Sequence, residues 1–211
     1  MGFQPTKAIH MLLVVCAAAS SIIDCNEGFG TYYYDIEQVD SCGTTFRNQN
    51  KGGLMCSPAV LLSLDQINTN SVVAMNRTQL GFNPSLYCGK RVVVSVNGQP
   101  SDLQLFIGDG CERCSVGSSS SNIWDAQSAP GLDFSYSVLD HLSGGNACNA
   151  GHIAISWEIL DEKLYEFDES SLGLPFVDQP MLSNAVAVEP SVKCSEPSET
   201  PTDIFIRANA T

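Results

Sequence analysis

LYCGKRVVVSVNG (residues 86–98), LQLFIGDGCERC (103–114), GLDFSYSVLDHL (131–142) and GHIAISWEIL (151–160) are four blocks of one stretch, Leu86 to Leu160, whose reading decides the fold. Arg91 to Val96 is a β-branched run with weak alternation. Asn97-Gly98 is a strong two-residue hairpin signal, and Leu103 to Ile107 returns to apolar residues at period two, so the first two blocks predict a β-hairpin. A Gly-, Cys- and Ser-rich loop follows Asp109. Ser135 then has the chemistry to N-cap a short helix with Val138, Leu139 and Leu142 on one face, and Gly144-Gly145 stops it. Ile153, Ile155, Trp157 and Ile159 alternate with Ala154, Ser156 and Glu158, the pattern of a half-buried final strand.

The order of these motifs, CGKRVVVSVNG, then DGCERC, then LDFS before a short helix, then a strand carrying Trp157, resembles the double-psi β-barrel of the expansin-like superfamily. Its members include expansin first domains, barwin-like proteins, rare lipoprotein A-like proteins and family 45 endoglucanases. The resemblance extends upstream to Gly30-Thr31-Tyr32-Tyr33-Tyr34-Asp35, Ser41-Cys42-Gly43-Thr44-Thr45 and Val72-Val73-Ala74-Met75, so it covers roughly residues 28 to 160. It implies a mostly β fold, a six-stranded double-psi β-barrel with short helices and an irregular C-terminal tail. The order and spacing are specific to that fold and much less so to one activity.

Outside the stretch, Lys7 followed by the apolar run Met11 to Ala19 and Ser20 reads as a secretory signal peptide over residues 1–20. The run is too short for a membrane span, and no later stretch approaches the roughly 20 apolar residues a spanning helix needs. The barrel domain is expected over 21–160. Phe29 to Tyr34 fits its first strand, and Ser57 as N-cap with Pro58 at the first helical position predicts an inserted helix over 57–67, tied down by Cys56. From Asp161 to Thr211, ten acidic residues face three basic ones, prolines recur and apolar periodicity is lost, which predicts a tail.

The chain has nine cysteines. Cys16 falls in the signal segment, and Cys25, Cys42, Cys56, Cys88, Cys111, Cys114, Cys148 and Cys194 remain, an even set that in an oxidising compartment suggests disulfides of undetermined pairing. Cys194 would anchor the tail, with Cys25 as one possible partner. Cys111-Glu-Arg-Cys114 has the spacing of half a zinc site but no second ligand pair, so neither metal nor cofactor is expected. Asn76-Arg77-Thr78 is a glycosylation sequon. With 10 basic and 23 acidic residues the formal charge is −13, and losing Lys7 with the signal makes it one unit more negative. Nucleic acid and anionic membranes are therefore poor partners, while uncharged polysaccharide or a basic protein surface stays open. The working expectation is a secreted monomer in the extracellular space or cell wall.

The resemblance also nominates site residues. Asp133 falls where the family carries the aspartate of its HFD or DLS motif, the general acid of family 45 endoglucanases; its other reading is a cap on the following helix. Inverting hydrolysis needs a second carboxylate to activate water. Asp35 follows Tyr33-Tyr34 as the endoglucanase base follows its aromatic pair, but Ile36-Glu37 replaces the family's Cys-Cys, and a solvated strand-end aspartate is the competing reading. Asp109 matches the aspartate of the VDRC-like motif, where it lines the groove or satisfies loop amides. Lytic transglycosylases of the rare lipoprotein A type carry a histidine where this chain has Met75-Asn76-Arg77, which disfavours that chemistry. Tyr33, Tyr34 and Trp124 offer faces to sugar rings, whereas Trp157 reads as core. The resemblance thus implies an expansin-like protein that binds or loosens cell-wall polysaccharide without hydrolysis. Its rivals are a barwin-like interaction protein, acting as protease inhibitor or effector, and an endoglucanase-like hydrolase using Asp133 and Asp35.

Overall fold

A computed structural model describes residues 20–116 and 123–167; residues 1–19 of the expected signal segment, Cys194 and most of the expected tail lie outside these residues. The fold is mostly β. The strands are β1 Ile22–Tyr34, β2 Asp40–Ser41, β3 Thr44–Thr45, β4 Val72–Asn76, β5 Lys90–Val96, β6 Gln99–Pro100, β7 Leu105–Cys111, β8 Gly131–Ser135 and β9 Ile153–Lys163. The helices are short: α1 Arg47–Asn50, α2 Leu64–Ile67, α3 Arg77–Phe82, α4 Pro84–Tyr87, α5 Tyr136–Leu142 and α6 Ala147–Ala150. Among the described residues no helix is long and apolar enough to cross a membrane.

Six strands pair in a ring. β5 runs antiparallel to β7, β7 parallel to β4, β4 antiparallel to β8, β8 parallel to β1, β1 antiparallel to β9, and β9 returns antiparallel to β5. Closing a sheet on itself satisfies the edge amides that an open sheet would expose. Val73, Met75, Val92, Val94, Leu105, Ile107, Leu132, Phe134, Ile155, Trp157 and Ile159 fill the interior. The expected hairpin is present, with Asn97 and Gly98 both at positive φ (52° and 75°), the backbone a tight two-residue turn requires. The Ser135 hydroxyl accepts from Val138 N at 3.2 Å, so α5 starts where its cap predicts.

Two expectations are corrected. The inserted helix does not begin at Ser57. That hydroxyl accepts from Leu62 N at 3.2 Å across a single turn that ends at Leu61, which has a positive φ of 52°. The helix α2 starts six residues later, where Ser63 and Gln66 form a reciprocal capping box. Nor does order end at 160. β9 continues to Lys163, Leu164 N and Tyr165 N both donate to the Gly89 carbonyl, and the Tyr165 ring stacks on Phe106 at 4.8 Å and 4°. Leu164, Tyr165 and Phe167 cover a second core of Tyr34, Leu54, Leu62, Leu64, Ile67, Val72 and Phe106. The acidic composition after 160 masked these aromatic anchors.

Three disulfides staple the described chain: Cys42–Cys148, Cys56–Cys88 and Cys111–Cys114. Cys25 is disulfide-bonded as well. Cys56–Cys88 fastens the insertion to the start of β5, as its position predicts.

The tightest backbone approach in the ring lies between β1 and β8. A Cβ on Gly131 would sit 2.1 Å from the Phe29 carbonyl oxygen, and one on Gly28 would sit 2.4 Å from that of Pro130. Because the obstacle is backbone in both cases, no side-chain rotation relieves it. Gly131→Ala is expected to cost about 3 kcal/mol, at the upper end of overpacking penalties, read as a drop in the chemical-denaturation midpoint; a loss within experimental error would show that the two strands separate freely.

Candidate functional site

The parallel register of β1 and β8 sets Thr31 opposite Asp133, and β4 brings Ala74 to the other side of the same residue. Asp133 is only 5% exposed. Its Oδ1 accepts from the Thr31 hydroxyl and, at 2.8 Å, from the Arg113 guanidinium, while its Oδ2 faces Arg113 Nε at 3.3 Å. Arg113 also donates to Thr31 Oγ1 at 2.7 Å. The result is a side-on, two-toothed arginine–carboxylate pair, the geometry that fixes an arginine most firmly. The Cys111–Cys114 disulfide closes the turn that carries Arg113, so the guanidinium is presented on a short covalent loop. Burial raises the Asp133 pKa, the Arg113 charge opposes the rise, and the Asp109 charge adds to it. Asp133 therefore retains a proton to higher pH than an ordinary aspartate.

Asp109 lies behind this pair. Its Oδ1 accepts from Gly110 N at 2.8 Å and Met55 N at 3.1 Å, and the Tyr33 hydroxyl points to its Oδ2 at 3.4 Å. Burial raises the Asp109 pKa against these bonds. Tyr33, half-buried, packs on Cys111 and Cys114, and its hydroxyl is raised well above its usual value, chiefly by burial and then by Asp109.

Asp35 and Tyr34 lie in the interior. Asp35 is completely buried, and four donors occupy its carboxylate: Glu37 N, Gln38 N and Asn70 Nδ2 on Oδ1, and Ser137 N on Oδ2 at 2.7 Å. It ties the end of β1 to the start of α5. Tyr34 is equally buried, its hydroxyl bonded to Val72 N and to the Thr69 and Val72 carbonyls, so it offers no face to a sugar.

Trp124 does stand at the site. It stacks on His152 at 3.9 Å and 5°, and Phe29 meets its edge at 5.3 Å. Trp124 and Phe29, together with Asp133, Arg113, Thr31, Cys114 and Asp125, line a shallow depression, and His152 backs the Trp124 ring. Asp109 and Tyr33 do not line it. Arg113 and Thr31 were not singled out in the sequence, where His152 reads as structural or solvated. Only Arg113 leaves a trace there, as the basic residue enclosed by a Cys-x-x-Cys turn.

Cys111, Cys114 and Asp133 place ligand-type atoms within 4.8 Å of one another, yet the two sulfurs are bonded together and are not available as thiolates. Asn76, the sequon residue, accepts from Gln79 N at 2.8 Å and donates to the Cys114 carbonyl.

No family model matches the chain, and no curated protein matches it. Among solved structures it is similar to an expansin from Clavibacter michiganensis in a mutant form complexed with cellohexaose, at 17% identity and a TM-score of 0.41, over 68% of this chain and 54% of that one. It is also similar to the Streptomyces papain inhibitor, at 20% identity and a TM-score of 0.36, over 67% and 99%. A third is cerato-platanin 3 from M. perniciosa, at 12% identity and a TM-score of 0.37, over 64% and 94%. The chain spans about half the length of the expansin it matches. Likeness at this level says nothing of activity.

The raised Asp109 pKa makes stability depend on pH in a definite direction. The folded state holds a proton that the unfolded chain releases near pH 3.9, so stability is lost as pH rises from about 4 through the folded value, and the penalty is complete above it. Asp109→Asn removes that penalty, and its amide oxygen still accepts from Gly110 N and Met55 N. The variant should melt higher than wild type at pH 7 and converge with it near pH 4. A variant that melts lower by the same margin at both values would show that hydrogen bonding, not burial, governs this carboxyl.

Proposed function

We propose that this chain is a secreted protein of the expansin-like type, a six-stranded double-psi β-barrel that binds or loosens cell-wall polysaccharide without cutting it. The observation that carries this reading is an acid whose nominated base is buried. Asp133 sits at an open depression with a raised proton affinity, whereas Asp35 is buried under four hydrogen-bond donors and both oxygens of Asp109 are engaged. Two-carboxylate hydrolysis requires a second, free carboxylate about 6.5–9.5 Å away for inversion or about 5–5.5 Å for retention. A polar pair beside the Trp124 ring suits an uncharged sugar, whose hydroxyls find donors and acceptors while its apolar face lies on the aromatic. The order of motifs from Gly30 to Trp157 supports the same family. Residues 1–20 are the proposed signal peptide, and the protein is proposed to work as a monomer.

A second reading has one observation in its favour. The formal charge of −13 suits a basic protein partner, as a barwin-like inhibitor or effector would need.

The test is depletion of the protein by insoluble wall polysaccharides, with reducing-end release measured in parallel. Wild type should bind and release no new ends. Trp124→Ala should weaken binding about tenfold, the equivalent of about 1.4 kcal/mol, and Asp133→Asn should also weaken it. New reducing ends lost in Asp133→Asn would establish a hydrolase. No binding to any glycan, with inhibition of a protease, would establish the second reading.

A further inference from the structure

The Cys111–Cys114 disulfide stands apart from the other two described disulfides. It joins residues only 3 apart in sequence, against 106 for Cys42–Cys148 and 32 for Cys56–Cys88. A disulfide stabilises mainly by restricting the unfolded chain, and the restriction grows with loop length, so this one contributes least to holding the fold. Cys114, only 5% exposed, borders the depression, the Arg113 guanidinium is carried between the two cysteines, and the Asp133 carboxyl lies within 4.8 Å of both sulfurs. The Cys114 N–H donates to Cys111 Sγ at 3.0 Å.

We propose that Cys111–Cys114 is a reactive redox centre that accepts two electrons from a dithiol, with Cys114 as the attacked sulfur and Asp133 as proton acceptor. A thiolate of the dithiol entering the depression attacks Cys114 Sγ. The Cys111–Cys114 bond breaks, and its electron pair leaves on Cys111, where the Cys114 N–H and the nearby cation stabilise the thiolate. Lower thiol pKa in the leaving group speeds such exchange. The second thiol of the dithiol gives its proton to Asp133 and attacks its own sulfur in the mixed disulfide, releasing Cys114 as a thiolate. The dithiol is oxidised to a disulfide and the protein disulfide is reduced to two thiolates; one proton of the dithiol goes to solvent when the attacking thiolate forms, the other goes to Asp133, and the cysteine thiolates take up protons from solvent according to their pKa. Burial, which raises the proton affinity of Asp133, suits it to this acceptor role. Opening the disulfide also frees the loop that holds Arg113 on Asp133, so the reduced and oxidised forms present different depressions. The inference does not depend on glycan binding.

The experiment treats the native, oxidised full-length protein with dithiothreitol for short times, alkylates the thiols and counts each cysteine by peptide mass spectrometry while near-ultraviolet circular dichroism follows the fold. Cys111 and Cys114 should label about tenfold faster than Cys42, Cys148, Cys56 and Cys88, with the dichroism unchanged. Labelling of all six together, or only as the dichroism is lost, would overturn the proposal. With oxidised glutathione, Cys111→Ser should trap a mixed disulfide on Cys114, whereas Cys114→Ser should leave Cys111 unmodified; the reverse pattern overturns the assignment of the attacked sulfur. Asp133→Asn should slow reduction severalfold and flatten its dependence on pH beyond that of the dithiol itself. An unchanged rate profile in a folded Asp133→Asn protein removes Asp133 from the reaction.

Discussion

The contact between β1 and β8 is the constraint on which the rest depends. Two parallel strands run so close that Gly28 and Gly131 have no space for a Cβ, and their register puts Thr31 beside Asp133. A slip of one residue would turn Asp133 to the opposite face and seat an apolar neighbour at the depression. Everything polar at the site follows from that register: the Thr31 hydroxyl is fixed against Asp133, and the two together form the seat for Arg113. The ring of six strands then holds β1 and β8 from both sides, through β9 and β4.

Buried charge is costly unless paired, and here the pairing is unequal. Asp133 is almost fully covered, while the Arg113 side chain remains 40% exposed. An arginine so placed neutralises its partner without being locked away from a ligand, and the disulfide-closed turn limits how far it can move. Burial raises the proton affinity of the carboxyl, and the neighbouring cation opposes that rise. Asp35 shows the contrasting solution. A carboxylate given four hydrogen bonds is a structural tie, however close in sequence it stands to the motif of a catalytic base.

Local signals were readable in the sequence where local physics decides the outcome. The Asn97-Gly98 turn, the Ser135 cap and the alternation of Ile153 to Ile159 each depend on neighbours within a few residues, and each stands as its pattern implies. What depended on distant chain was hidden. Asp35 is saturated partly by Asn70 and Ser137, and Arg113 meets Thr31 across 82 positions. The three consecutive tyrosines could not be sorted by period two, because the register of β1 against β8 shifts between Tyr32 and Tyr34. At the other end, Tyr165 and Phe167 were lost in an acidic background although each packs on Phe106. The helix expected at Ser57 failed for a subtler reason: the Ser63-Gln66 box six residues on satisfies two orphan amides where Ser57 with Pro58 satisfies none in a helix.

The central claim is that Asp133 is a buried acid paired to Arg113, while Asp35 is tied up in the interior. Carboxyl-carbon NMR titration of the protein, with Asp133, Asp109 and Asp35 assigned, tests it most directly. The account predicts midpoints for Asp133 and Asp109 above the ordinary aspartate value near 3.9, and an Asp133 resonance that moves on addition of a soluble wall oligosaccharide while the Asp35 resonance does not. An Asp133 midpoint at or below the ordinary value, or an Asp35 resonance that responds to the oligosaccharide along with it, would contradict the account.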